Sequence, residues 1–188
     1  GKWIIQNAFS MCTECRKYYP EFRVSINLSY VQILKSPLMM ELKQIIDHSG
    51  ISCSGIIVEL TESGYLEGTP AVRSVWNDMK QLRIQIALDD FGTGYSNLMN
   101  ISNLEPDIVK LDRGFTLKAL SRSYEYQLMQ YVIEMVHKLN QYVCVEGVET
   151  KEDLEKIKAL GPDLIQGYYY SKPCSRDEFL KKFFDYSE

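Results

Sequence analysis

Six residues of this chain combine a reactive side chain with one recurring position. Asn27, Glu59, Asp89, Lys110, Glu146 and Gln166 each lie late in a short run rich in β-branched residues. Side chains along a strand point alternately to opposite faces. In each run the polar residue takes the face opposite the aliphatic row. Ile26 and Leu28 oppose Asn27, Val58 and Leu60 oppose Glu59, Val109 and Leu111 oppose Lys110, and Val143 and Val145 oppose Glu146. One polar residue where a strand leaves a core is ordinary. Six are not, because a buried carboxylate or ammonium is costly unless paired or bound to metal. If Glu59, Asp89, Glu146 and the neighbouring Asp90 converge, they repel unless divalent cations lie between them. Oxygen-only ligands of this kind suit Mg2+ or Mn2+. The chain has only two His, His48 near a helix end and His137 on a helix. Both read as surface or capping residues, so zinc is not expected.

Four strings refine this pattern. Asp89-Asp90-Phe91-Gly92-Thr93-Gly94-Tyr95-Ser96 puts adjacent carboxylates on a strand tip, then a Gly-rich loop. Taken alone, it is a cap and a turn. Glu59 and Glu62 repeat an acid every third residue, which places Glu59 on the strand and Glu62 in the following loop. Glu146 and Glu149 repeat that spacing. Lys110 and Asp112 set an amine and a carboxylate two residues apart. That spacing suits an amine kept charged by an acid.

The elements that must position these residues alternate. Strands are predicted at Phe22–Ser29, Ile56–Thr61, Ile84–Asp89, Ile108–Leu111, Tyr142–Glu146 and Leu164–Tyr168. Amphipathic helices are predicted around them. The first runs from Trp3 to about Tyr18. Another starts with Thr69 as N-cap and Pro70 in its first turn, and lines up Val72, Val75, Trp76 and Met79. A third presents Leu128, Tyr131, Val132, Met135, Val136 and Leu139. Thr150, with Asp153 three residues on, opens a fourth; Ser175, with Glu178, opens the last. Repeated βα units argue for a parallel sheet covered by helices, as a barrel or a doubly wound fold.

Composition narrows the function. At 188 residues, 45% apolar and 24% charged, the chain is ordinary globular protein. It is short for a (β/α)8 barrel, which usually runs to about 250 residues. A net charge of −4 with no Lys/Arg block disfavours polynucleotide binding. A small anionic ligand then needs local positive charge, from a metal, one Lys or one Arg. The five Cys are scattered. Cys12 and Cys15 form a lone CxxC in a helical pattern and read as reduced helix-face thiols rather than a metal or redox site. No run is long enough to span a membrane, and no signal peptide is visible. The chain begins Gly-Lys-Trp, so a longer parent is expected.

Together the strings INLS at 26–29, ELTES at 59–63, DDFGTGYSN at 89–97, VKLDRGF at 109–115, VEGVET at 145–150 and QGYYYSKP at 166–173 resemble the EAL domain family. These are the cyclic-di-GMP phosphodiesterases. Each string alone is weak; the ordered set is specific. The resemblance implies an α/β fold, a (β/α)8 TIM-like barrel of the EAL type with two bound Mg2+ or Mn2+ ions. It implies hydrolysis of one phosphodiester of cyclic-di-GMP to linear pGpG. Asn27, Glu59 and Asp89 then resemble ligands of the first metal. Asp89 would bridge to the second, with Asp90 and Glu146 there. Glu146 also resembles a general base. Lys110 resembles the lysine at the attacking water and phosphate, and Gln166 the glutamine near that water. Asp112 and Glu149 look like supporting groups, Glu62 the glutamate that holds the DDFG loop, and Pro173 part of the guanine-binding rim. Two cations about 4 Å apart can activate a water and stabilise both the attacking and the leaving oxygen.

The family's Glu-Ala-Leu motif is absent from the sequence. The expectation is a single EAL domain over 1–188, the C-terminal three-quarters of the barrel, lacking its first two strands and open at that gap or completed by another copy. The parent is expected to be active, and these residues alone weak or inactive, because a first-metal glutamate is missing. Asn97 and Gly114 stand where serine is common in the family, without direct consequence for the chemistry. The alternatives are a non-catalytic cyclic-di-GMP sensor or interaction module, and a generic α/β domain with acidic loops. Expected partners are cyclic-di-GMP, a second copy in a homodimer, and an upstream GGDEF or sensor domain of the parent. The domain is expected to be cytoplasmic, whether or not the parent carries a membrane anchor.

Overall fold

A computed structural model describes residues 2–29, 32, 38–49, 53–61, 70–93, 101 and 104–184. Strands and helices alternate along it. Helix α1 spans Lys2–Cys15, then β1 Val24–Asn27, α2 Leu38–Ser49, β2 Ile56–Thr61, α3 Pro70–Gln81 and β3 Gln85–Phe91. The series continues with β4 Ile108–Leu111, α4 Arg113–Ser121, α5 Ser123–Lys138, β5 Tyr142–Val145, α6 Lys151–Lys158, β6 Leu164–Ile165 and α7 Arg176–Phe184. All six predicted strands are present. Two compact units divide the chain.

The first unit is Gly1–Leu60, Gly64–Ile86 and Pro173–Glu188. Here β1 pairs with β2 in parallel, from Val24 beside Ile56 to Asn27 beside Glu59. Ile5, Phe9 and Cys12 recur at helical spacing on α1 and are buried, as are Val72, Trp76 and Met79 on α3. The α3 stripe is the one the periodicity marks; its N-cap Thr69 lies outside the described residues. The C-terminal segment closes on the N-terminal helix. Phe22 meets Phe179 and Phe184, and Arg176 pairs with Glu14. Ser175 and Glu178 form the predicted reciprocal cap of α7. Cys12 and Cys15 are buried. Burial, with Glu14 and Cys12 nearby, pushes the Cys15 thiol up to about 11. Burial likewise raises Cys12, whose thiol donates to the Gly55 carbonyl. Both are core thiols at neutral pH.

The second unit is Thr61–Ser63 and Ala87–Lys172. In it β4 pairs in parallel with β3 on one side and β5 on the other, and β6 pairs with the far edge of β5. Every residue of β4 is buried. Burial therefore does not alternate, as expected for a parallel strand covered on both faces. The predicted α5 face is corrected. The buried stripe is Met129, Ile133 and Val136, while Leu128, Tyr131 and Leu139 are exposed. This helix has apolar residues on two arcs, so periodicity alone admits either; packing selects one. Helix α6 begins with the predicted Thr150–Asp153 capping box and buries Leu154 and Ile157.

Strand ends differ from the expectation in informative ways. Strand β3 runs on to Phe91 through a register shift between Leu88 and Phe91. Strand β5 ends at Val145, although the Glu146 N–H still donates to the Leu111 carbonyl. Strand β6 stops at Ile165, because the chain turns after Gln166 donates to the Val145 carbonyl. No helix among the described residues is long and apolar enough to cross a membrane.

Candidate functional site

The first unit brings together two of the predicted site residues. Asn27 and Glu59 are register partners at the tips of β1 and β2. The Leu28 N–H donates to the Glu59 carbonyl at 3.0 Å, which extends the pairing one step past the strand. Glu59 is buried and Asn27 is exposed. Pro173, also in this unit, is exposed. Glu62 and the stretch from Gly94 to Asn97 lie outside the described residues.

The second unit holds the denser cluster. Central β4 carries Lys110, while β3 and the end of β5 carry Asp89 and Glu146. The Lys110 ammonium lies 3.0 Å from Asp89 Oδ1 and 2.6 Å from Glu146 Oε1. The three side chains are 6%, 13% and 18% exposed. A charged lysine at this depth requires such partners. Sequence spacing pointed to Asp112 as its acid, and the structure corrects this. Asp112 is the N-cap of α4, and its carboxylate accepts from the Gly114 N–H at 2.7 Å. The chain turns into a helix at Asp112, so period-2 reasoning stops there.

The two loops beyond the acids are built differently. On β3 the register shift is a β-bulge, with Asp90 at φ +62°. Asp tolerates this left-handed conformation better than most residues, and a bulge re-aims side chains. The Asp90 N–H donates to Asp89 Oδ1 at 3.0 Å. After β5, Gly147 has φ +78°, and a Cβ there would lie 2.3 Å from Arg113 Cγ. That position admits only glycine. Arg113 lies across it and donates from Nε and Nη2 to Glu149 Oε1 at 3.2 and 2.7 Å. Val148 fills the core below, and Thr150 caps the next helix. Gln166 is exposed beside this loop, and its carbonyl accepts from the Val148 N–H. Arg113 was not singled out from sequence. Its acid partner is distant along the chain, and only the Arg directly after Asp112 could have hinted at it.

A hard divalent cation fits the donor chemistry of this unit. Among the described residues, no group of three or more His, Cys, Asp or Glu is placed to hold an ion unaided. Mg2+, however, usually takes one or two carboxylates and completes its shell with water and ligand phosphates. Asp89 and Glu146 already converge on one cationic point, the Lys110 ammonium. Their oxygens suit Mg2+ or Mn2+ rather than zinc.

Comparison with known proteins places this arrangement. The EAL domain family model matches residues 1–173. The cyclic di-GMP phosphodiesterase PdeF of Escherichia coli K12 is 31% identical over 171 residues, covering 91% of this chain and 23% of PdeF. The EAL enzyme Bd1971, in its cAMP- and cyclic-di-GMP-bound form, matches with a TM-score of 0.90 at 28% identity, over 97% of this chain and 50% of that one. The PaMucR phosphodiesterase in complex with c-di-GMP gives a TM-score of 0.87 at 25% identity, over 96% and 73%. The chain spans about a quarter of the length of the curated relatives it matches. Its α/β architecture is that of the EAL barrels. The family match runs through all the strand tips that carry Asn27, Glu59, Asp89, Lys110, Glu146 and Gln166, and the chain belongs to the EAL domain family.

Proposed function

We propose that this chain is the catalytic part of a metal-dependent phosphodiesterase that hydrolyses cyclic-di-GMP to linear pGpG. The observation that carries this reading is the buried Lys110 between Asp89 and Glu146, in a family whose similar members include named cyclic di-GMP phosphodiesterases. A buried ammonium beside acids on neighbouring strands suits a phosphate that must be bound and attacked in line. We assign Asn27, Glu59 and Asp89 to a first cation, and Asp89, Asp90 and Glu146 to a second, as Mg2+ or Mn2+. Bound divalent cations supply a water of lowered pKa and neutralise phosphate charge.

In this reading the chain's own groups divide the remaining work. Lys110 orients the scissile phosphate and the attacking water. Glu146 accepts that water's proton, and Gln166 aligns its remaining hydrogen. A new P–O bond forms as the P–O3′ bond breaks, and the 3′ oxygen takes a proton from solvent, to which Glu146 returns the one it accepted. Asp112 and Glu149 hold the β4 and β5 tips, Glu62 the loop after β3, and Pro173 the guanine rim. The unit of function is a single EAL domain over 1–188, in a cytoplasmic homodimer, within a parent that carries a GGDEF or sensor module.

The test is chromatographic detection of pGpG from cyclic-di-GMP with MgCl2 or MnCl2. It is run on this chain and on one extended through a Glu-Ala-Leu motif. Turnover is expected in the extended chain, with little in the 188 residues alone. An inert extended chain, with Glu59→Ala changing nothing, overturns the enzyme reading. Tight cyclic-di-GMP binding without turnover makes the domain a sensor instead.

A further inference from the structure

Lys110 does more in this geometry than orient a phosphate. Its ammonium is within ion-pair distance of two carboxylates at once, at 3.0 and 2.6 Å, and its side chain is the most buried of the three. Together the three groups carry one negative charge. Without the ammonium, two carboxylates of low exposure would lose the positive charge they share, a costly change in a partly desolvated site. The ammonium therefore does for Asp89 and Glu146 what a small cation would do.

Resting on the metal-dependent reading above, we propose that Lys110 is the resident counter-ion of Asp89 and Glu146, holding the two acids together until a divalent cation exchanges with its ammonium. An ammonium and a divalent cation cannot both sit against the same oxygens, because like charges a few ångströms apart repel strongly at low dielectric. Cation uptake therefore frees Lys110, and a freed ammonium at the site is what an incoming phosphate requires. Loading the site and presenting its lysine become one event. A lysine suits this exchange better than an arginine. It is a point charge on a flexible stem, whereas a guanidinium fork locks onto carboxylates.

The test uses wild type, Lys110→Met and the double variant Lys110→Met/Glu146→Gln, each in the chain extended through a Glu-Ala-Leu motif, with MnCl2 alone as the probe. Thermal melting in metal-free buffer and titration calorimetry are the readouts. Lys110→Met is expected to lower the metal-free melting midpoint by roughly 10 °C. It is also expected to tighten Mn2+ binding by about tenfold or more, since the competing charge is gone. The double variant removes one of the two carboxylates but leaves Asp89 without its ammonium, so it is expected to recover part of the metal-free midpoint. If wild type binds Mn2+ while Lys110→Met melts unchanged and binds Mn2+ no tighter, the counter-ion proposal is overturned and the metal-dependent reading survives. If wild type takes up neither Mn2+ nor Mg2+, both fall. Should Lys110→Met not fold without metal, refolding on added Mn2+ supports the proposal. Failure to refold with either Mn2+ or Glu146→Gln counts against it.

Discussion

Two ion-paired clusters lie within a few residues of each other in the second unit, and they differ mainly in depth. Lys110 is shared by Asp89 and Glu146 with all three side chains nearly enclosed. Arg113 pairs with Glu149 with the two side chains 56% and 40% exposed. Both clusters join the end of β4 to the loop after β5. The buried one cannot lose its lysine cheaply, because two acids of low exposure then lose the ammonium they share. In the exposed one, water replaces whatever is removed. Depth therefore separates a group that determines the site from a group that steadies it.

The largest expected effect breaks the buried cluster. Lys110→Met should cost roughly 3 to 5 kcal/mol in metal-free stability and lower cyclic-di-GMP hydrolysis by about a hundredfold or more. Denaturant melts and a turnover assay in the extended chain measure both. If the stability loss is no larger than that of Arg113→Ala, the depth argument is wrong.

Next comes the glycine that lets the two clusters approach. Gly147→Ala imposes φ +78° on an alanine and places its Cβ against Arg113. A loss of about 2 kcal/mol is expected from the backbone alone. Arg113→Ala in the same chain should recover only part of it, since the Arg113 Cα also stands close, at 3.1 Å. Full recovery would locate the strain in the side chain rather than the backbone.

The exposed cluster should respond weakly. The hydrogen bond and the charge of Glu149 hold the Arg113 guanidinium above its ordinary pKa. Arg113→Ala should change stability little, since water takes the place of the lost pair. Turnover should fall a few-fold through kcat, because the loop bearing Glu146 loses its clasp. Exchanging the two charges in Arg113→Glu/Glu149→Arg should return part of that kcat. An unchanged kcat in Arg113→Ala would reduce the pair to surface decoration.

Depth also governs a neutral group in the first unit. Burial holds the Cys15 thiol at about 11, against 9.0 for an ordinary cysteine. Between these values the unfolded chain has lost this proton while the folded chain keeps it. Stability from Cys15 is therefore complete below about pH 9 and falls as pH rises towards about 11. Melts at pH 8 and pH 11 should show a smaller alkaline loss in Cys15→Ala than in wild type. Equal losses would mean that Cys15 does not report its burial.

The parts of the fold legible in sequence were those set by local chemistry. The six strands were marked by β-branched runs, and the caps at Thr150 and Ser175 by acids three residues on. Local pattern failed where partners are remote. The acids of Lys110 belong to neighbouring strands, so spacing pointed to Asp112, which instead caps a helix. The α5 face failed because two apolar arcs compete and only packing decides between them. The bulge at Asp90 had no signal beyond the adjacent acids, since a left-handed Asp looks like any other Asp. Parity placed the six polar tips on a common face, but it could not say which of them touch.

The most direct measurement is the chromatographic yield of pGpG from cyclic-di-GMP. It compares wild type and Lys110→Met in the chain extended through a Glu-Ala-Leu motif, with MnCl2 or with EDTA. Wild type is expected to yield pGpG with MnCl2, and almost none with EDTA; Lys110→Met is expected to yield almost none with either. Intact cyclic-di-GMP with wild type, or equal pGpG from Lys110→Met, would contradict a metal-dependent phosphodiesterase that works through Lys110.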